Sequence, residues 1–186
     1  MISDVINKIR TDLEKTFSSV DNWFDCNDTL LNYKPSNGGW TISQILEHIS
    51  LTNYYLLILV KKGTRKALEK AKNNFKSELF LNYELDFNRL SSIGEHNSFE
   101  WNRPEHMEPK GELTLQEVKI KLNNQLNECL GYLNQMSKGE GCLHTTMMTV
   151  DNLGKIDVYH YIYFLAMHAK RHVRQMEKIK IEVEEL

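Results

Sequence analysis

Apolar side chains recur at three- and four-residue intervals through the start of the chain, at Ile2, Val5, Ile6, Ile9, Leu13, Phe17 and Val20. This is the helical repeat, and it predicts an amphipathic helix over residues 3–21. Turn-forming residues then crowd the segment from Asp21 to Gly39, including Asn22, Asp28, Asn32, Pro35, Ser36, Asn37 and Gly38, and end that helix. A second helix opens at Thr41, which with Gln44 has capping-box spacing, and Trp40 stands in the hydrophobic-staple position before the cap. Its apolar positions run from Ile42 to Val60, and Gly63 is a candidate left-handed terminator.

Thr114 and Glu117 form another capping box, ahead of a third helix with Leu115, Val118, Leu122, Leu126, Leu130 and Leu133 in period; it is expected to end near 137–141. A fourth helix is predicted from about Asp157 to Val183, with Tyr161, Leu165, His168, His172, Met176 and Ile179 on one face and a charged tail after it. At 1.5 Å rise per residue these helices are about 30–40 Å long, matched in length as a four-helix bundle requires. The predicted fold is therefore all-α, one bundle domain over residues 1–186. Residues 64–112 are too long for an ordinary bundle connection of about 2–8 residues and point to a crossover between parallel neighbours, helices 2 and 3. Ala67, Leu68, Ala71, Phe75 and Leu79 could add a helix there, whereas Pro104 and Pro109 demand an extended path, and the crossover is expected to cover an end or a side of the bundle.

Composition narrows the function. The 186 residues are 41% hydrophobic, with three prolines and nine glycines, which suits one well-filled helical core. A net charge of −2 lacks the basic field that gathers phosphates, so nucleic acid is not an expected partner. Three cysteines, Cys26, Cys129 and Cys142, give neither a disulfide framework nor a thiolate zinc site and suit a reducing compartment. MISDVINKIR has no apolar signal core, and Leu51 to Val60 is about half a membrane span. A cytoplasmic protein without a membrane partner is expected.

Of the seven histidines, at 48, 96, 106, 144, 160, 168 and 172, two have ligand spacing. His168 and His172 are i, i+4 on one helical face, able to chelate a single ion, and share that face with Tyr161, Leu165 and Met176. His48 shares a face with Ile45, Thr52, Tyr55 and Leu59 and is the inward candidate for a third ligand. Two readings stand on pattern alone: a three-histidine metal site, or three core histidines each satisfied by a hydrogen bond. His96, His106, His144 and His160 are expected non-ligands, with His144 in GCLHTTM the strongest competitor.

The segments GGWTISQILEHI (38–49) and HAKRHVRQ (168–175) resemble the DinB/YfiT-like metal-binding bundles. The resemblance rests on Trp40, Thr41, His48, His168, Arg171, His172 and Gln175, in the family's order, and on the proline-bearing PEHMEPKGELTLQEV before the third helix. It implies a four-helix bundle with a long crossover, often a homodimer, and His48, His168 and His172 as ligands of nickel or zinc. It also implies kinship with transferases that use bacillithiol, mycothiol or glutathione.

Three imidazoles leave a coordination position open, as in catalytic sites, and could activate water for hydrolysis or a cofactor thiol for transfer to a small-molecule substrate. Tyr55, seven residues beyond His48, is a candidate acid, and Arg171 a candidate for anion binding or for orienting a ligand, as is Gln175. The cysteines are assigned to packing or loops, and Trp40 to structure. The leading expectation is a metal-dependent thiol S-transferase or hydrolase; the alternatives are a non-catalytic metal-binding or stress-related protein and a plain interaction bundle.

Overall fold

The computed structural model describes residues 1–74, 80, 83–95 and 104–186. Within them the chain forms α1 (Ile2–Asp21), α2 (Asp28–Asn32), α3 (Ile42–Asn74), α4 (Phe87–Ser91), α5 (Leu115–Gln135), the strands β1 (Thr145–Met148) and β2 (Gly154–Asp157), and α6 (Val158–Glu184). α1, α3, α5 and α6 make the predicted four-helix bundle, and among the described residues no helix is long and apolar enough to cross a membrane.

Side-chain contacts fix the directions. Gly63 of α3 meets Val158 at the start of α6, while His48 meets His168 and His172 further along α6, so these helices are antiparallel. Gln125 of α5 donates to the Ser50 carbonyl, and Lys70 to the Leu143 carbonyl just beyond α5, so α3 and α5 are parallel. This is the arrangement a long crossover serves. α1 runs against α5, with Arg10 bonded to Asn134 and Lys119 near Asp21.

Both capping boxes form. Gln44 N–H donates to Thr41 Oγ1 at 3.2 Å and Thr41 N–H to Gln44 Oε1 at 3.0 Å; Glu117 and Thr114 repeat the exchange at the start of α5. Asp157 caps α6 by accepting the His160 N–H at 3.0 Å. α6 is buried on nearly every side from Val158 to Ala169, because α1 and α3 flank it and α4 with the Ser92–Gly94 turn covers it. Ile9, Leu13, Ile45, Leu46, Ile49, Leu133, Ile162 and Leu165 are fully enclosed in the shared core.

Two expectations change. α3 does not stop at Gly63 but continues to Asn74, absorbing Ala67, Leu68 and Ala71; Phe75 and Leu79 lie outside the described residues. Gly63 has no positive φ, and its role is close approach: a Cβ there would lie 3.0 Å from Val158 Cγ2 and 3.5 Å from the His144 ring. The second change is the hairpin, Thr145 to Asp157, which the helical pattern did not announce. β1 pairs antiparallel with β2, turning through Asp151 and Asn152 at φ 47° and 51°. Asn and Asp tolerate that left-handed backbone better than other non-glycine residues.

The crossover's second half follows its prolines. Pro104 and Glu108, the residue before Pro109, are extended, with one 3-10 turn over Glu105–Met107 between them. Replacing Gly63 by Leu is expected to reduce stability by about 1–3 kcal/mol, because the α3–α6 contact cannot take the added volume. Urea unfolding would show a lower midpoint at unchanged slope; an unchanged midpoint would mean that the contact yields.

Candidate metal centre

His48 sits in the second turn of α3, and His168 and His172 sit one turn apart on α6. The antiparallel contact of the two helices brings the three rings together inside the protein, with residue exposures of 3%, 2% and 6%. Ring centroids are 5.2 Å apart for His48 and His168, 4.7 Å for His48 and His172, and 4.6 Å for His168 and His172. One nitrogen from each ring lies within 4.8 Å of the other two. Among the described residues this is the one group of three or more potential ligands so close together.

The donor set suits a divalent ion. His168 Nε2 and His172 Nε2 are 3.1 Å apart; two nitrogens bound at 2.0–2.1 Å to one tetrahedral centre would be about 3.4 Å apart. His48 Nδ1 is 2.7 Å from the Met107 carbonyl oxygen, which can only accept, so Nδ1 carries the proton and Nε2 keeps its lone pair. His172 Nδ1 is 2.9 Å from Gln175 Oε1, which orients that ring in the same way. Protein oxygens holding the non-ligating nitrogen are the usual support of histidine ligands.

Burial, and then the neighbouring His172, His48 and Arg171, pushes the His168 pKa well below its ordinary value. The ring is thus neutral at neutral pH, the form that ligates. Trp40 lies against the His48 ring at 4.6 Å between centroids, and Phe164 stacks on His168 at 6.4 Å with an 8° angle between the planes. Trp40 is therefore more than a helix staple, since it walls one side of a candidate ligand.

The crossover returns along α3 as a strap. Its His106 ring packs on Tyr55 at 4.3 Å, its Met107 carbonyl meets His48, and its Gly111 N–H donates to Glu47 Oε2 at 2.8 Å. Tyr55 is half-buried beneath the strap, nearly two turns from His48. Arg171, 9% exposed, donates to the Glu95 carbonyl at 2.7 Å, while Arg174 holds the Gly94 carbonyl and the Glu95 carboxylate. Neither Glu47 nor the Met107 carbonyl stood out in sequence.

The remaining histidines are elsewhere. His144 packs by Gly63, fifteen residues and so about 22 Å along α3 from His48. Burial and the charges of Lys66, Lys70 and Lys62 lower its pKa. His160 pairs with Asp157 at 2.8 Å, His106 packs on Tyr55, and His96 is outside the described residues. The cysteines are all free. Burial pushes the Cys129 thiol up to about 12, and burial with the Asp157 charge raises that of Cys142, so neither is an activated thiolate.

A sequence model described as the DinB superfamily matches residues 8–176 of the chain. Comparison with curated proteins and with solved structures gives no match.

The depressed His168 pKa sets a pH dependence for the metal-free protein. Between that folded value and the ordinary 6.5, the unfolded chain holds the extra proton, so stability falls as pH falls, by up to about 1.4 kcal/mol per pH unit. Above 6.5 this contribution is level. Urea unfolding of chelator-treated protein across this range should show the slope, and His168→Gln should flatten it; a wild-type profile as flat as the variant's would mean that the ring is not held neutral.

Proposed function

The chain belongs to the DinB superfamily, and on that footing we propose that it is a divalent-metal-dependent enzyme with His48, His168 and His172 as ligands. The observation that carries this is the buried convergence of three imidazoles, two of them with Nδ1 engaged by an oxygen. Three protein ligands leave a position for water or substrate, whereas structural zinc sites are closed by four. When bound, a zinc or nickel ion supplies Lewis acidity there, lowering the pKa of a coordinated water or thiol toward neutrality.

Thiol S-transfer with a low-molecular-weight thiol of the bacillithiol, mycothiol or glutathione type is the preferred reaction, and hydrolysis is the other that the same ligand set supports. The thiols of Cys129 and Cys142 do not compete as nucleophiles, since both are held protonated. Trp40 and Phe164 pack on the His48 and His168 rings and lower the local dielectric there. In this reading Tyr55 donates a proton from its hydroxyl at the strap side of α3. Arg171, whose charge already acts on His168, balances negative charge on the substrate. A small-molecule substrate, a cytoplasmic location and a homodimeric assembly complete the proposal.

Elemental analysis of untagged protein, purified without chelator or metal column, is expected to find about one zinc or nickel ion per chain, lost in His168→Ala. His48→Ala should abolish tight metal binding and turnover while the far-UV circular dichroism stays helical. Turnover retained without metal would overturn the assignment, and metal without any thiol-dependent or hydrolytic turnover would leave a metal-binding protein. Tyr55→Phe is expected to reduce kcat by about 10²-fold at unchanged metal content.

A further inference from the structure

Glu47 is a buried acid, 5% exposed, next in sequence to a candidate ligand. Adjacent helical residues point about 100° apart, so Glu47 and His48 face different directions. The strap nevertheless joins them: Met107 O meets His48 Nδ1, and four residues later Gly111 N–H meets Glu47 Oε2. The span between these bonds is stiff. Glu108 is extended at φ −75° and ψ 136°, Pro109 has a fixed φ, and Gly111 adopts φ 70°, which glycine reaches without strain.

We propose that Glu47 is a positioning residue for His48, acting through the strap: its bond to the Gly111 N–H seats the Met107 carbonyl on Nδ1 and so keeps the proton there and off Nε2. This rests on the metal-site assignment above. The bias is needed because a histidine free in water prefers its proton on Nε2, the nitrogen that must be bare to ligate. Glu47 therefore contributes to affinity without touching the ion. A carboxylate buried this far needs a hydrogen-bond donor, and the Gly111 N–H supplies one.

The test compares Glu47→Ala with Glu47→Gln, whose amide oxygen can accept the same N–H. In metal-free protein with 15N-labelled histidine, at a pH where the rings are neutral, wild type and Glu47→Gln should show His48 protonated on Nδ1. Glu47→Ala should move the proton largely to Nε2. Competition with a chromophoric chelator should show zinc bound about tenfold more weakly by Glu47→Ala and nearly unchanged by Glu47→Gln. Should the alanine variant fail to fold, Glu47→Met keeps most of the volume without the acceptor and gives the same comparison.

An Nδ1 tautomer and zinc affinity untouched by loss of the acceptor would overturn the proposal, whatever happened to stability. A wild type that binds no zinc would overturn the metal assignment instead. The tautomer comparison, made without metal, would still decide whether Glu47 positions His48.

Discussion

Three imidazoles occupy one buried volume, and burial holds His168 among them in its neutral form. A proton on any of them places a charge where solvation is poor and two more rings stand within 4.6–5.2 Å. The surroundings serve that constraint. Aromatic rings line the cluster, oxygen acceptors hold His48 and His172 in chosen tautomers, and Arg171 adds a positive charge that further disfavours protonation of His168.

Burying such a cluster demands a rigid frame, which explains why α6 is covered on so many sides. Its first half, Val158 to Ala169, is nearly all enclosed and carries no part of the cluster until His168. The hairpin end anchors it: Asp157 caps the helix, accepts the Tyr83 hydroxyl at 2.7 Å and pairs with His160, while Tyr159 donates to the Met136 carbonyl. At the other end Glu182 accepts the Tyr33 hydroxyl and the Ser36 N–H, tying down the loop that leads to Trp40. The ligand-bearing turn is thus held between two fastened ends, and α3 completes the site by packing antiparallel to it. The close approach at Gly63 belongs to the same antiparallel contact.

The helices were legible because period and caps are local: Thr41 with Gln44, and Thr114 with Glu117, bond within four residues of sequence. Gly63 misled because its purpose is tertiary, a space for Val158, and nothing nearby in sequence distinguishes that from a terminator. The hairpin was obscured by its brevity, although Thr145, Thr146 and the turn before Gly154 carried a faint strand signal. The histidines could be chosen because i, i+4 spacing and an inward face are sequence properties. Their orienting partners could not, since a backbone carbonyl such as that of Met107 has no signature in side chains. The bond from Gly111 to Glu47 spans 64 residues.

The same geometry makes protons and metal ions rivals. Each candidate ligand offers a lone pair that either a proton or a cation can take, and burial disfavours the proton because it brings a charge without a counter-ligand. A divalent ion held by His48, His168 and His172 would spread its charge over three imidazoles, so the cluster that tolerates protonation poorly is suited to coordination. Orientation then decides strength. Three neutral rings with their protons on the wrong nitrogens would present hydrogen-bond donors to the ion, and the carbonyl on the strap and the Gln175 amide oxygen prevent this at two of the three. Burial selects the neutral form, and the acceptors select its tautomer.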